Sequence, residues 1–593
     1  MDAPDPVARM FAPHRYYYLH NFQQALDWLA ARYDDLFAPA ERAFVHDFAR
    51  LPQASRALAV RLLMRTRRVY RAECLHYEEI GCIPTAAAPL LALGWLQADP
   101  ALDWTEWAAL HTKDELARRY PQAGARASWR KAELLATLRE HLGGADVRAC
   151  SAWGAGPDEA IWSVEIGALA ERLRLMFFGN LHQSWSEFVL ADLGVFQYEP
   201  VALDSHTRAF PHARAIDTYL ALHAVRERLD SATPDEAPAL HAEIEACASE
   251  VPWLARRQAK VWFRLGQWCE RAGAWDAAEA AYRASRHPGA RQRLIRVIER
   301  QARYEDAHAL ARDTLSAPGS EAELQLVARM LPRLARHAGL PAPAPTRRAT
   351  MAPFELVLPR PEPARRVEFV VRDHLGTREA PAYYVENGLI NSLFGLLCWR
   401  AIFEPVSGAF FHPFQRGPAD LHDAGFRARR AAAFDACLGA LADGTHRERI
   451  LACYEAKAGV QSPFVFWGML SRDLLEAALA CIAPEHLALW FARLLDDIET
   501  NRSGLPDLVR FWPAEARYEL IEVKGPGDRL QDNQMRWLAY AARHGLPVRV
   551  CHVRWDETLA SAEASGTISP TAVALVATPP DATPPNEPLQ EAA

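Results

Sequence analysis

The stretch GLPDLVRFWPAEARYELIEVKGPGDRLQDNQMRWLAYAARHGLPVRVCHV, residues 504–553, decides how the C-terminal part of this chain folds. It predicts a strand over Asp507–Trp512, a turn at Pro513–Ala516, and a second strand over Tyr518–Lys524. A Gly-Pro-Gly turn, a helix over Arg529–His544 and a strand over Val548–Val553 complete the unit. Asp528 followed by Gln531 has the spacing of a capping box at the helix start. The helix then buries Leu530, Trp537, Leu538 and Ala541. Strand–strand–helix–strand at this tight spacing is the core of a small α/β sheet.

Side chains two apart on a strand share a face, so Glu522 and Lys524 project together while Ile521 and Val523 enter the core. Asp507, at the start of the neighbouring strand, meets Glu522 across the pair. Two converging carboxylates make a hard-oxygen site suited to Mg²⁺ or Mn²⁺. Such a cation binds a phosphate oxygen, acidifies a bound water and neutralises charge in the transition state. Lys524 orients or helps deprotonate that water, or stabilises the crowded phosphorus electrostatically. An isolated E-x-K on a strand is common and usually means an ion pair. A Pro-Asp fifteen positions upstream (522 − 507) makes the set specific for phosphodiester hydrolysis of the PD-(D/E)xK type. Gln534, on the helix face near Trp537, is a secondary candidate, either bonded to backbone or orienting a metal water or DNA. His552 is read as structural.

At 593 residues the chain exceeds one hydrophobic core, and several domains are expected. Hydrophobic residues make up 50% and charged residues 24%, which is ordinary for globular proteins. No apolar run reaches membrane-helix length, and the N-terminus has no secretory pattern. The ten cysteines form no CxxC pair, so reduced thiols are expected rather than a zinc ribbon or disulfide framework. A net charge of −7 does not exclude a nucleic-acid partner, because a large protein carries local basic faces.

Most of the first 340 residues read as helix. Arg61, Arg65, Arg67, Arg68 and Arg71, with Tyr70 among them, are either a phosphate-tracking helix face or a solvated polar face. HYEEIGCIPTAAAPLLALGWL (76–96) reads as a helix–turn–helix broken at Pro84. Lys113–Tyr120 and Ser128–His141 are two short helices, the second capped by Ser128 and bearing Arg130, Lys131 and Arg139. Such a pair resembles a SAP module, which binds DNA backbone. GAWDAAEAAYRAS (273–285) is echoed by ARYEDAHALARDT (302–314), which predicts tetratricopeptide-like hairpins whose small alanines let helices approach. Between them lie Arg291 and Arg293, further candidate phosphate contacts. PAPAPTRRATMAP (341–353) is a linker, FELVL and VEFVV read as strands, and the tail from about Glu557 reads as disordered.

GLPDL, EVKGPGDRL, the QMRWL helix and VCHV resemble the VRR-NUC domain of the Fanconi-associated nucleases. YYYLHNFQQAL (16–26), HYEEI (76–80), the SAP-like and repeat helices and VENGLINSLFGLLCWRAIF (385–403) follow in that family's order, so the resemblance spans about residues 16–555. It implies a mostly α multidomain chain: helical DNA-binding domain 1–110, SAP-like module 111–150, tetratricopeptide-like domain 151–340, linker and first strand 341–365, α/β nuclease domain 366–556 with a helical insert over 405–501, and tail 557–593. It implies a divalent-metal nuclease cutting branched or flapped DNA, with 5′-flap endonuclease and 5′→3′ exonuclease action in interstrand crosslink repair. Asp507, Glu522 and Lys524 take the catalytic positions, and Glu386, on the helix before the sheet, and the Val523 carbonyl join the metal site. For Glu386 the plainer reading is a carboxylate favoured by a helix start.

The ubiquitin-binding zinc finger of animal relatives is not visible, and the alanine- and arginine-rich composition fits a bacterial member. A monomer is expected, cytoplasmic and nucleoid-associated if bacterial or nuclear if eukaryotic. The alternatives are a Holliday-junction-type resolvase, a catalytically silent helical-repeat scaffold and, more weakly, an RNA-processing enzyme.

Overall fold

The computed structural model describes residues 15–65, 67–121, 129–142, 147–156, 159–185, 187, 196–203, 207–341 and 353–556. Ser128 and most of the proline-rich linker and the tail fall outside these. The front of the chain is helical: Tyr17–Tyr33, Pro39–Arg50, Gln53–Leu63 and Ile83–Ala92 enclose Phe22, Leu26, Phe44, Phe48 and Leu58. Pro84 does not break a helix here. It stands in the first turn of Ile83–Ala92, where its missing N–H costs nothing, and the preceding HYEEI is turn. Lys113–Arg119 and Lys131–Leu142 pack as the expected short pair through Leu116, Leu134 and Leu138.

The repeat is real in its backbone. Gly273 and Ala302 both bend left-handed (φ 74° and 61°), and the helices Trp275–Ala284 and Tyr304–Ser316 follow at the same offset. Ala278 and Ala307 are both fully buried where neighbouring helices meet. Tyr304 stacks on His337 of the last repeat helix, Glu321–His337, with ring centroids 4.9 Å apart.

The C-terminal domain is built on a five-stranded sheet of β1 (Pro353–Pro359), β2 (Ala382–Tyr384), β3 (Leu508–Trp512), β4 (Arg517–Lys524) and β5 (Val548–Asp556). Their spatial order is β1-β5-β4-β3-β2. β5 runs parallel to β1 and β4, and β3 runs antiparallel to β4 and β2. Between the strands lie α1 (Val367–Leu375), α2 (Leu389–Leu397), α3 (Pro484–Asp496) and α4 (Asp532–His544). VEFVV is therefore the start of α1 and not a strand. Val371 is its fully buried contact with the sheet, with Val370 next to it and Val367 one turn earlier packed against the same core.

The two faces of the sheet have different covers. Leu508, Ile521, Val523, Cys551 and Val553 pack with α1, whereas Val509, Phe511, Leu520, Val548 and Val550 join the large core under α2, α3 and α4. The helical insert supplies much of that core through Phe434, Ile450, Leu475, Trp490 and Phe491, all at 0% exposure. It is packing that closes one face of the sheet. Among the described residues no single helix is long and apolar enough to cross a membrane.

Candidate active site

Asp507 immediately precedes β3, and the antiparallel register Leu508↔Ile521 continues to place it opposite Glu522. Asp507 Oδ2 accepts a 2.8 Å hydrogen bond from the Val523 N–H, so the carboxylate is clamped to the strand that carries its partner. Lys524 Nζ lies 2.9 Å from Glu522 Oε1. All three side chains sit in the sheet mouth at 8%, 1% and 8% exposure for Asp507, Glu522 and Lys524. The sequence pattern thus brings its three central residues together.

Burial raises the affinity of Glu522 for a proton well above the carboxylate range, and the neighbouring Asp507 charge raises it further while Lys524 opposes it. Asp507 shifts the same way by burial, opposed by the Val523 N–H and reinforced by Glu386 and Glu368. Excess negative charge held out of water is what a cation relieves. Glu522 Oε1 is also buried without an aligned hydrogen-bond donor, despite its ionic contact with Lys524. The donor set fits a hard divalent cation on these observations.

Glu386 stands elsewhere than expected. It lies in the turn between β2 and α2, outside any helix, is exposed, and accepts a hydrogen bond from the Tyr384 hydroxyl. Among the described residues no three His, Cys, Asp or Glu side chains are already gathered as a metal cage, and Glu386 turned onto Tyr384 accords with that. Its turn is nevertheless pinned to the site. The Val385 N–H donates to the Asp507 carbonyl at 2.8 Å, and the Leu505 N–H donates to Asn387 Oδ1 at 3.0 Å. Glu368, in the first turn of α1, is an acid that reading VEFVV as a strand overlooked; the spacing of Val367, Val370 and Val371 was the available signal.

The helix after the site also begins later than predicted. Asp528 accepts from the Gly525 N–H and ends the turn, while Gln531 caps α4. Gln534 closes that cap, its Oε1 accepting from the Gln531 N–H at 2.8 Å, so its observed partner is backbone. His552, read as structural, is exposed, and its register partner on β4 is Lys524.

The arginine clusters divide. The helix ends at Leu63, so residues 61–71 do not form one helix face. Arg61 pairs with Glu79 at 2.6 Å over the Tyr18 ring, Arg68 with Glu165, and Arg71 with Glu73, Glu115 and Glu159. Arg291 is bound by Glu323, and Arg293 by Glu270. Lys131 donates to the His111 carbonyl. Arg65, Arg67, Arg130 and Arg139 remain exposed with no carboxylate partner among the described residues.

The VRR-NUC domain profile matches residues 441–555, the span that carries the two opposed carboxylates and the lysine, and the chain is a DNA-cleaving phosphodiesterase of the VRR-NUC class, whose nucleases are metal-dependent. The FAN1 HTH domain matches residues 16–97, and the Fanconi anemia-associated nuclease SAP domain matches 101–153. The chain is 49% identical to the Fanconi-associated nuclease 1 homolog of Pseudomonas aeruginosa over 93% of its own length and 98% of that protein. It is 33% identical to the Homo sapiens Fanconi-associated nuclease 1 over 28% of this chain and 17% of that one. A crystal structure of paFAN1 bound to 5′-flap DNA with a gap superposes with a TM-score of 0.87 at 49% identity, covering 92% of this chain and 99% of that one. The chain belongs to the Fanconi-associated nuclease family.

Proposed function

We propose that this nuclease is structure-selective and cuts 5′-flapped DNA with Mg²⁺ or Mn²⁺, with 5′-flap endonuclease and 5′→3′ exonuclease action serving interstrand crosslink repair. The observation that carries the reading is the buried Asp507–Glu522 pair across β3 and β4 with Lys524 beside it. The likeness to a relative crystallised on 5′-flap DNA supports the substrate class.

Asp507, Glu522 and the Val523 carbonyl would hold the cation, and Glu386 would join them by releasing Tyr384. When bound, the cation supplies Lewis-acid chemistry at the phosphate and acidifies water. The Val523 N–H fixes Asp507, and the sheet holds Glu522 opposite, so neither carboxylate reorganises during reaction. Lys524, 2.9 Å from Glu522, would offer its ammonium to the attacking water or the phosphate oxygens. Exposed Arg65, Arg67, Arg130 and Arg139 would hold phosphates without reading sequence, leaving selectivity to DNA shape.

The test is cleavage of labelled 5′-flap, 3′-flap, four-way and linear DNA by wild type and Asp507→Ala, with each metal. Metal-dependent cutting near the 5′-flap junction, lost in Asp507→Ala, is the expected result. Preference for the four-way substrate would instead indicate a resolvase. Tight binding without any cutting would overturn the catalytic assignment.

A further inference from the structure

β5 changes character along its length. Val548 and Val550 are buried in the large core, but His552 and Arg554, the next two side chains on the same face, are exposed. The change falls level with the active site, since His552 is in register with Lys524 of β4 on one side and Glu355 of β1 on the other. Side chains opposite each other on neighbouring strands share a face about 4.8 Å apart. The faces agree: Leu520, Val548 and Val550 belong to one core, and Glu522, Lys524 and His552 continue those rows.

Among the described residues nothing buries that corner of the sheet. Glu355 and Val357 of β1 are exposed on it, Val357 at 46%, while Phe354, Leu356 and Leu358 turn to the opposite core. Arg554 and Glu355 pair with each other at 2.6 Å. His552 takes no part in that pair, and no hydrogen bond or ring contact engages it among the described residues. An unengaged imidazole beside a catalytic lysine, on open sheet surface, is placed to meet what the site binds.

From this placement we infer that His552 contacts the DNA strand being cut, at the phosphate next to the scissile one on the side away from Asp507. The strand would cross the sheet from β3 over Lys524 to His552 and leave across β1. Either ring N–H can donate to a phosphate oxygen, and exposed Val357, one row further along β1, offers an apolar surface to the sugar. The inference rests on the nuclease reading above and assigns a substrate contact to a strand that reading does not use.

The test keeps the two apart. Flap-DNA affinity is measured by anisotropy with Ca²⁺ on the full-length Asp507→Ala protein, with and without His552→Ala, using flaps bearing one methylphosphonate at successive linkages. Asp507→Ala alone should lose affinity about five- to tenfold at one linkage beside the cut position. His552→Ala should lose affinity by the same factor on unmodified DNA and lose no more at that linkage. His552→Gln should recover part of the loss, with the melting temperature unchanged in both. Equal further losses at every linkage, no loss, or a lowered melting temperature with unchanged affinity would each overturn the contact. Whether wild type cuts the flap with Mg²⁺ reports separately on the nuclease reading.

Discussion

Glu522 is a residue whose chemistry works against the fold that holds it. Its carboxyl is 1% exposed and lies against Asp507, so folding favours the protonated form. A group whose proton affinity is raised on folding contributes stability below its unfolded pKa. That contribution is lost as pH rises through the higher folded value. Glu522→Gln should therefore stabilise the metal-free protein by on the order of 1–3 kcal/mol above neutral pH. It should also flatten the pH dependence while abolishing cleavage. Chemical denaturation of both proteins at several pH values with chelator checks this; a destabilised glutamine variant would contradict it. His552 belongs to the same scale. Its neighbours Cys551 and Val553 are buried, so its exposure is a property of one row on one face.

At the scale of elements, the segment leading into β3 is the joint on which the site depends. Gly504 has φ 87°, and a Cβ there would lie 2.7 Å from the Asn533 carbonyl carbon at the start of α4. The neighbouring Ser503 is held by α4, its carbonyl accepting from Trp537 Nε1 at 3.1 Å and its hydroxyl bonding Asn533. On the other side Asn391, buried in α2, donates to the Arg502 carbonyl at 2.9 Å. Asp507 is thus placed by contacts from two helices. Gly504→Ala should cost about 2–4 kcal/mol through strain and the clash together. It should also cut cleavage more than flap binding, because the error is passed to Asp507 three residues on. Unfolding curves and single-turnover cleavage measure both; an unchanged rate in a folded variant would show the segment has slack.

Across the whole molecule, the repeat domain is fastened to the nuclease domain near the site. Arg493 of α3 is 3% exposed, lies 4.8 Å from the Trp537 ring and 4.5 Å from that of Tyr540, and reaches Glu321 at 2.6 Å. Arg329 meets Asp532, and Arg536 donates to Gln325 at 2.8 Å. Every contact ties the last repeat helix to α4 or its neighbour. Glu321 is 46% exposed, so the ion pair itself is screened and contributes little, whereas the stacked guanidinium is desolvated. Arg493→Ala should cost about 2–3 kcal/mol and Glu321→Ala less than about 1 kcal/mol, compared by denaturation. Equal losses would mean the charge pair dominates.

The sequence by itself determined the core of the candidate site, because the alternation in ELIEVK sends Glu522 and Lys524 to one face whatever surrounds them. A short turn at 513–516 folds the next strand back antiparallel, which sets Asp507 opposite Glu522. It determined the repeats as well, through alanines whose size is their function. The tertiary structure alone decided what depends on residues distant in the chain. VEFVV became a helix because a short apolar run has no period of its own and the exposed side of α1 tolerates its polar residues. Arg61, Arg71 and Arg291 were claimed by Glu79, Glu115 and Glu323, partners 18, 44 and 32 positions away. Exposure of His552 followed from packing, since the core on its face takes in Val548 and Val550 and stops there. Local periodicity sets which way a side chain points; what meets it there is set by packing between elements.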